Sequence, residues 1–532
     1  MEIIKFKHNL SYYIKLFDTR KQNNDLFGAL DAAKNALKYA GHRIQKESVN
    51  LLIGQVYYEM GQYSLSCEYY FRALEVPQTM AGGYFGVGRN LVNMRKFLLA
   101  LDYFDKVLEY DVNNIFTQSV LEWTDFIKKQ ISVEDKQTFL ENNLLNIKKL
   151  IKQKQYIKAH NILQSAINLN PQDPTLLLLE AECFIGEGNI DSARQNAKNV
   201  LKTFPYNADA RLVLCKICRL DDDDTSLKTL ISGIELNNIN NAQKLELAQL
   251  YVSVGQNNEA IDVLKKLINQ VPYSPKLFLY LGICYYNILD TQNALYYLAQ
   301  ARWIDYENPV LIEFYKIFNN FKYTLQLTDQ LPKDIINNKL SDIHTSLNNP
   351  KFINNWLHSS LLVDQTDWLL TTKCYALSDN FLSILSTIKS KKAVKYYKKA
   401  LLSVRYNIHQ KYLLTKYALI NKNLKIVNVT TNFIYRSFLN RLPAFCSGMQ
   451  IIKNSVASAL AYAECFANYI NIIPTAKNIY LNILDKNLET QIDENTLTCL
   501  MFYNYNSELK SVCNYFNVDI AKVENTKSLL NL

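Results

Sequence analysis

Apolar residues over the first three hundred positions recur at helical spacing and fall into paired amphipathic segments separated by short polar turns. Within each pair, one small residue marks where the second helix must approach the first. It stands at Ser66, Ala100, Ala159, Ala193, Ala260 and Ala294. The intervals are 34 residues from Ser66 to Ala100, 34 from Ala159 to Ala193, 67 across two units to Ala260, and 34 to Ala294. A fixed period of this length predicts stacked helical hairpins. Small residues also recur in the first helices, at Gly54, Gly88, Ala181, Ala248 and Gly282, where two antiparallel helices need a close approach. An aromatic ring follows three positions later at Tyr57, Phe184, Tyr251 and Tyr285. Pro77, Pro171, Pro205 and Pro272 end second helices, because proline lacks an N–H and clashes with the preceding turn.

This set of positions resembles the tetratricopeptide repeat. The chain as a whole is similar to large cytosolic bacterial proteins in which such repeats precede a helical C-terminal region. The resemblance implies an all-α superhelical solenoid, since no hairpin buries its apolar face alone and stacking is obligatory. It also implies a concave groove lined by the first helix of each hairpin. Carried over by register, that face holds Gln55, Tyr58, Glu59, Arg89, Asn93, Lys148 and Lys152. Glu182, Gln249, Ser253, Tyr286 and Asn287 continue it. The expected ligand is a protein or peptide segment. Arg89 with Asn93 resembles part of a carboxylate clamp, but one such pair does not make a clamp-type chaperone adaptor. Two copies are worn: the first, at Leu26, Ala29, Ala33 and Ala36, and the sixth, from Leu214 to Ile234.

Five segments are expected: a repeat block over 1–114, a bridging helix or hinge over 115–140, a second block over 141–310, a helical transition over 311–375, and a basic helical domain over 376–532. In the last, the β-branched run Ile426, Val427 and Val429 predicts a short hairpin within Leu424 to Arg436. The tail from Glu508 to Val523 resembles a helix-turn-helix. Its second helix is charge-balanced, which favours a structural helical pair over a recognition helix.

Composition agrees with helices joined by short loops, for the chain has only 14 Gly and 11 Pro. Charge changes the picture more. The first 310 residues hold 34 basic and 34 acidic side chains, whereas residues 311–532 hold 25 and 15, the whole excess of +10. No acidic residue occurs from Asn380 to Ala463. Within that window Lys391, Lys392, Lys395, Lys398, Lys399 and Arg405 form a basic patch beside Tyr396, Tyr397 and Tyr406. Such a patch suits an acidic protein, anionic lipid or nucleic acid, with the rings either stacking on bases or covering apolar surface. A/T-rich codons would inflate Lys and Tyr by themselves, so the missing acids weigh more than the added bases.

Catalytic chemistry finds no support. His8, His42, His160, His344, His358 and His409 are singletons, outside any paired-histidine metal motif, nucleophile elbow or phosphate-cradling loop. Cys215 and Cys218 have metal-site spacing but no second pair, and fall where a repeat helix needs small and apolar residues. The Asp221–Asp224 run lacks the alternating oxygen pattern of a calcium loop and reads as a solvated turn. No catalytic residue, metal or cofactor is therefore expected. Scattered cysteines, no apolar core in Met1–Lys7 and no membrane-length apolar run point to a reduced, cytoplasmic protein without a transmembrane segment. The oligomeric state is left open.

Overall fold

The computed structural model describes residues 9–532 apart from 135–138, 321–323, 348–360, 372–374, 388–390, 421–423, 441, 448, 467–470, 487 and 489–491. The fold is all-α with one two-stranded sheet. It forms two compact units, one from residues 1–117 with 334–532 and the other from 118–333.

The first unit opens with three hairpins: α1 (Leu10–Gln22) with α2 (Leu26–Tyr39), α3 (Arg43–Glu59) with α4 (Tyr63–Arg72), and α5 (Pro77–Asn93) with α6 (Phe97–Tyr110). The second unit contains α7 (Thr117–Glu134) and five further hairpins. These are α8 (Phe139–Lys152) with α9 (Tyr156–Leu169), α10 (Pro174–Glu187) with α11 (Ile190–Thr203), and α12 (Ala208–Leu220) with α13 (Asp224–Ser232). Then come α14 (Asn241–Ser253) with α15 (Asn257–Gln270), and α16 (Pro275–Asn287) with α17 (Thr291–Ile304), followed by the single helix α18 (Pro309–Phe318).

All six small anchor residues are fully buried. A methyl group on Gly88 would lie 2.5 Å from the Phe104 ring, which is why the first helix carries no side chain there. Ser66 uses its hydroxyl instead, donating to the Gly54 carbonyl at 2.7 Å and accepting from Asn90 Nδ2 at 2.8 Å.

Each hairpin turns through the same device. The first helix ends in a left-handed residue: Asn24, Gly61, Arg95, Lys154, Gly188, Asp222, Gly255 and Leu289 all have φ between 55° and 86°. The next N–H reaches back to a carbonyl five residues earlier, as in Gln62 to Tyr57, Lys96 to Leu91, Asp223 to Cys218 and Asp290 to Tyr285. This is the Schellman closure, which satisfies carbonyls that the helix end leaves free. The worn sixth copy keeps it at Asp222, so the repeat survives there in the backbone. Cys215 and Cys218 fill that copy's core together with Leu227, Ile231 and Leu247. Each apolar cluster of this unit joins one hairpin to the first helix of the next, for example Ala181 and Ala193 with Val213 and Ile217. A hairpin alone would leave that surface in water.

The first unit is completed by helices α19 (Lys333–Leu347), α20 (Leu361–Thr371), α21 (Tyr375–Thr387), α22 (Lys391–Leu402) and α23 (Ile408–Ile420), then strands β1 (Ile426–Thr431) and β2 (Ile434–Leu439). Helices α24 (Gln450–Phe466), α25 (Ile473–Lys486), α26 (Glu494–Leu500), α27 (Asn506–Phe516) and α28 (Ile520–Leu530) follow. The strands pair antiparallel from Ile426↔Leu439 to Thr431↔Ile434. Asn432 and Phe433, at φ 50° and 69°, make the two-residue turn that this twist favours. The hairpin packs on α22 and α23, and its turn reaches α6. There the Tyr103 hydroxyl donates to the Phe433 carbonyl at 2.7 Å and accepts from the Tyr435 N–H at 2.9 Å. Nearby, the buried Glu68 of α4 accepts from Ser403 Oγ at 2.9 Å and the Val404 N–H at 3.1 Å. Among the described residues no helix is long and apolar enough to cross a membrane.

Candidate functional site

In the second unit the first helices pack side by side, α10 on α12 and α12 on α14. Lys216 of α12 bridges Glu182 of α10 at 3.0 Å and Glu246 of α14 at 3.1 Å, so charges on this face are matched within the protein. Further along, the face is occupied. The stretch Thr324–Leu331 has no helix or strand and alternates outward and inward, with Leu325, Leu327 and Leu331 buried. Its backbone is read by amides. Asn287 Nδ2 donates to the Leu325 carbonyl at 2.7 Å, while Asn287 Oδ1 accepts from the Leu325 N–H at 2.8 Å. Gln249 Nε2 donates to the Leu327 carbonyl at 3.2 Å. Asn257 Oδ1 takes the second Asn287 N–H at 3.0 Å and fixes the amide's direction.

Two of the residues assigned to the groove, Gln249 and Asn287, thus hold a peptide backbone in this structure. Tyr286 does not line an open surface. It is 1% exposed, stacks on Phe318 at 5.1 Å, and only its hydroxyl reaches out, to the Asn320 carbonyl at 3.4 Å. Its position at the end of a tightly packed first helix turns the ring into the core. Ser253 donates back to the Leu250 carbonyl of its own helix. Lys148 and Lys152 are exposed on α8.

In the first unit the groove residues of α3 and α5 come together. The Arg89 guanidinium lies 4.0 Å from the centre of the Tyr58 ring, and Asn93 Nδ2 donates to the Tyr58 hydroxyl at 3.3 Å. Gln55 donates to Glu59 at 3.3 Å, and Glu59 pairs with Lys21 of α1 at 3.0 Å. The result is a half-exposed polar patch with one ring-backed cation, suited to hydrogen bonds with a bound segment.

In the basic window the tyrosine rings take the second of the two roles, covering apolar surface. Tyr396, Tyr397 and Tyr406 are buried at 6%, 0% and 9% exposure, so their rings cannot stack on bases. The Tyr397 hydroxyl donates to the Leu382 carbonyl at 3.0 Å, and that of Tyr406 bonds Asp367. Helix α22 is amphipathic, and the tyrosines are its inner face while Lys391, Lys395 and Lys398 remain exposed. Lys398 lies 3.7 Å from Glu75, which ends the short helical turn after α4, and Lys416 pairs with Glu494 at 2.9 Å. Lys399 and Arg405 are half-buried, and the side chain of Lys392 lies outside the described residues. Lys411 is fully buried and donates to the Ala400 carbonyl at 3.0 Å and to Thr430 Oγ1 at 3.4 Å, with burial pushing its ammonium down to about 7. Part of the positive excess is therefore internal scaffolding.

Cys215 and Cys218 are free and buried, and burial pushes the Cys215 thiol up to about 12, far from a reactive thiolate. Asp223 caps α13 by accepting from the Ser226 N–H at 3.1 Å, and hydrogen bonds from the Ser226 side chain and then its backbone hold the carboxyl down at about 2. Asp221 pairs with Arg194. No group of three or more metal-ligating side chains occurs among the described residues.

The segment 324–331 and the orienting Asn257 were missed by reading the sequence. The available signal was the strict alternation of Thr324-Leu325-Gln326-Leu327, a period of two directly after a helical array.

Family models of the tetratricopeptide repeat match residues 48–79 and 150–195. No curated protein matches the chain. Among solved structures it is similar to TTC0263, a thermophilic repeat protein of Thermus thermophilus, at 20% identity over 34% of this chain and 98% of that one, with a TM-score of 0.28. A tetratricopeptide repeat protein from Parabacteroides merdae is 14% identical over 58% and 99%, with a TM-score of 0.20. The TPR2AB domain of yeast Sti1, in its pHSP90 complex, is 11% identical over 49% and 98%, with a TM-score of 0.22. Scores this low add nothing to the repeat match itself. The register of the buried small residues, the shared left-handed turn and the two family-model matches agree in identifying tetratricopeptide repeats within this chain.

Proposed function

We propose that the chain is a non-catalytic interaction scaffold whose groove-forming first helices bind protein or peptide segments. The observation that supports this best is the two-point hold of Asn287 on the Leu325 backbone, with Gln249 repeating the contact two residues on. A side-chain amide that bonds both the N–H and the carbonyl of one residue recognises extended backbone of any sequence. Neighbouring side-chain sites then choose the sequence. The Tyr58–Arg89–Asn93 patch offers a second set of polar contacts in the other unit. Free buried cysteines suit a reducing compartment, and a cytoplasmic location is part of the proposal.

The test is selection of a displayed random-peptide library on the immobilised full-length chain. Enriched peptides should lose at least about tenfold in affinity on Asn287→Ala or on Arg89→Ala, the loss expected for about 1.4 kcal/mol. Enrichment indifferent to both substitutions, or no enrichment, refutes the proposal.

A further inference from the structure

Four features single out Thr324–Leu331 among the non-helical stretches. It follows α18 and lies against α14 and α16. It alternates exposed Thr324 and Gln326 with buried Leu325 and Leu327, the two-residue period of an extended chain. Its main chain is bonded by groove side chains, and its apolar side chains go inward. A third leucine, Leu331, is buried six residues after the first. An ordinary surface loop would satisfy its backbone with water and keep its apolar side chains few.

We infer that residues 324–331 are an internal copy of the ligand. The groove of the second unit takes a non-helical partner segment bearing leucines two residues apart, and the partner binds by displacing the chain's own copy. This rests on the peptide-binding reading above and names both the partner's chemistry and the competitor that regulates access. Asn287 and Gln249 would bond the partner's main chain as they bond Leu325 and Leu327, and the sites holding those two leucines would accept the partner's. Tethering makes the internal copy an effective competitor. A short tether holds it at an effective concentration of about 1 mM, so a free peptide of about 100 µM affinity is weakened about tenfold.

The experiment uses the full-length chain and a fluorescein-labelled peptide of residues 322–334, followed by anisotropy. Four proteins are compared, the first three being wild type, a chain opened by Leu325→Asp with Leu327→Asp, and the opened chain with Asn287→Ala. A second opened chain replaces residues 324–331 by a Gly-Ser linker of equal length, and circular dichroism confirms that each protein is folded. The inference expects binding to either opened chain, binding at least about tenfold weaker to wild type, and loss of binding with Asn287→Ala. A peptide in which both leucines are Asp should not bind. Equal binding to wild type and opened chains overturns the competition and leaves the peptide-binding reading standing. No binding to either folded opened chain, or binding indifferent to Asn287→Ala, overturns the internal-ligand inference. The library selection then decides the broader reading by itself.

Discussion

Tyr103→Phe removes one oxygen atom and tests how the β-hairpin is fixed to the repeats of the first unit. Tyr103 is 2% exposed, and its hydroxyl both donates to the Phe433 carbonyl at 2.7 Å and accepts from the Tyr435 N–H at 2.9 Å. The Tyr435 N–H points away from β1, since Thr430↔Tyr435 is one register step from the pair beside the turn, so the ladder cannot replace the lost acceptor. The ring stays, and with it the packing against Phe71 and Tyr84. A buried donor left without a partner costs about 1–3 kcal/mol, and a half-buried carbonyl adds somewhat less. The expected loss is about 2–4 kcal/mol, felt locally. The turn is already costly, because Phe433 is a bulky residue at φ 69°. Local opening of residues 426–439 should therefore become about 30- to 700-fold more frequent. Hydrogen exchange read by mass spectrometry on peptides covering β1 and β2 measures this directly. Protection unchanged within about threefold would refute the reasoning and mean that packing on α22 and α23 alone fixes the hairpin.

Other outcomes follow from the same structure. Leu289 sits in the left-handed turn position at φ 66° and is 73% exposed, so Leu289→Gly loses little packing and should stabilise the second unit by roughly 1 kcal/mol; a lower unfolding midpoint would contradict it. Gly255 has φ 79° and open space where a methyl would go, so Gly255→Ala should cost roughly 1 kcal/mol by conformation alone, read in the same melt. Glu47 is buried, and that burial raises its carboxyl from 4.5 to about 7, with nearby Glu75 adding to it. The folded state then holds a proton that the unfolded state releases, so this stability is present below pH 4.5 and lost as pH rises through about 7. Midpoints measured from about pH 4.5 to 8 should fall less with pH in Glu47→Gln than in wild type, and parallel curves would contradict the assignment.

The sequence made the repeats legible because packing there leaves little choice of residue. Ser66, Ala100 and Ala193 are fully buried where paired helices meet, and Ile426-Val427 with Val429 announced a strand within a helical region. The turn residue was harder to see, since Gly61, Arg95, Lys154, Asp222 and Leu289 share a conformation and no side-chain type. That is why the sixth copy looked worn although its hairpin is intact. The basic window left two roles open for its rings for a related reason. Composition counts Tyr396 and Tyr397 beside lysines but cannot say which face of α22 meets α21, and the rings went inward. The register named Gln249 and Asn287; the segment they hold was not legible, because the bonds from Asn287 to Leu325 join positions 38 residues apart.

The central claim is that the second unit's groove holds extended backbone through Asn287, and hydrogen exchange at residues 324–331 tests it most directly. Wild-type protein should show protection at the Leu325 amide, whose N–H meets Asn287 Oδ1 at 2.8 Å, and Asn287→Ala should abolish that protection while the α14–α17 amides keep theirs. Exchange at Leu325 as fast as in an unfolded chain in the wild type, or protection that survives Asn287→Ala, would contradict the account.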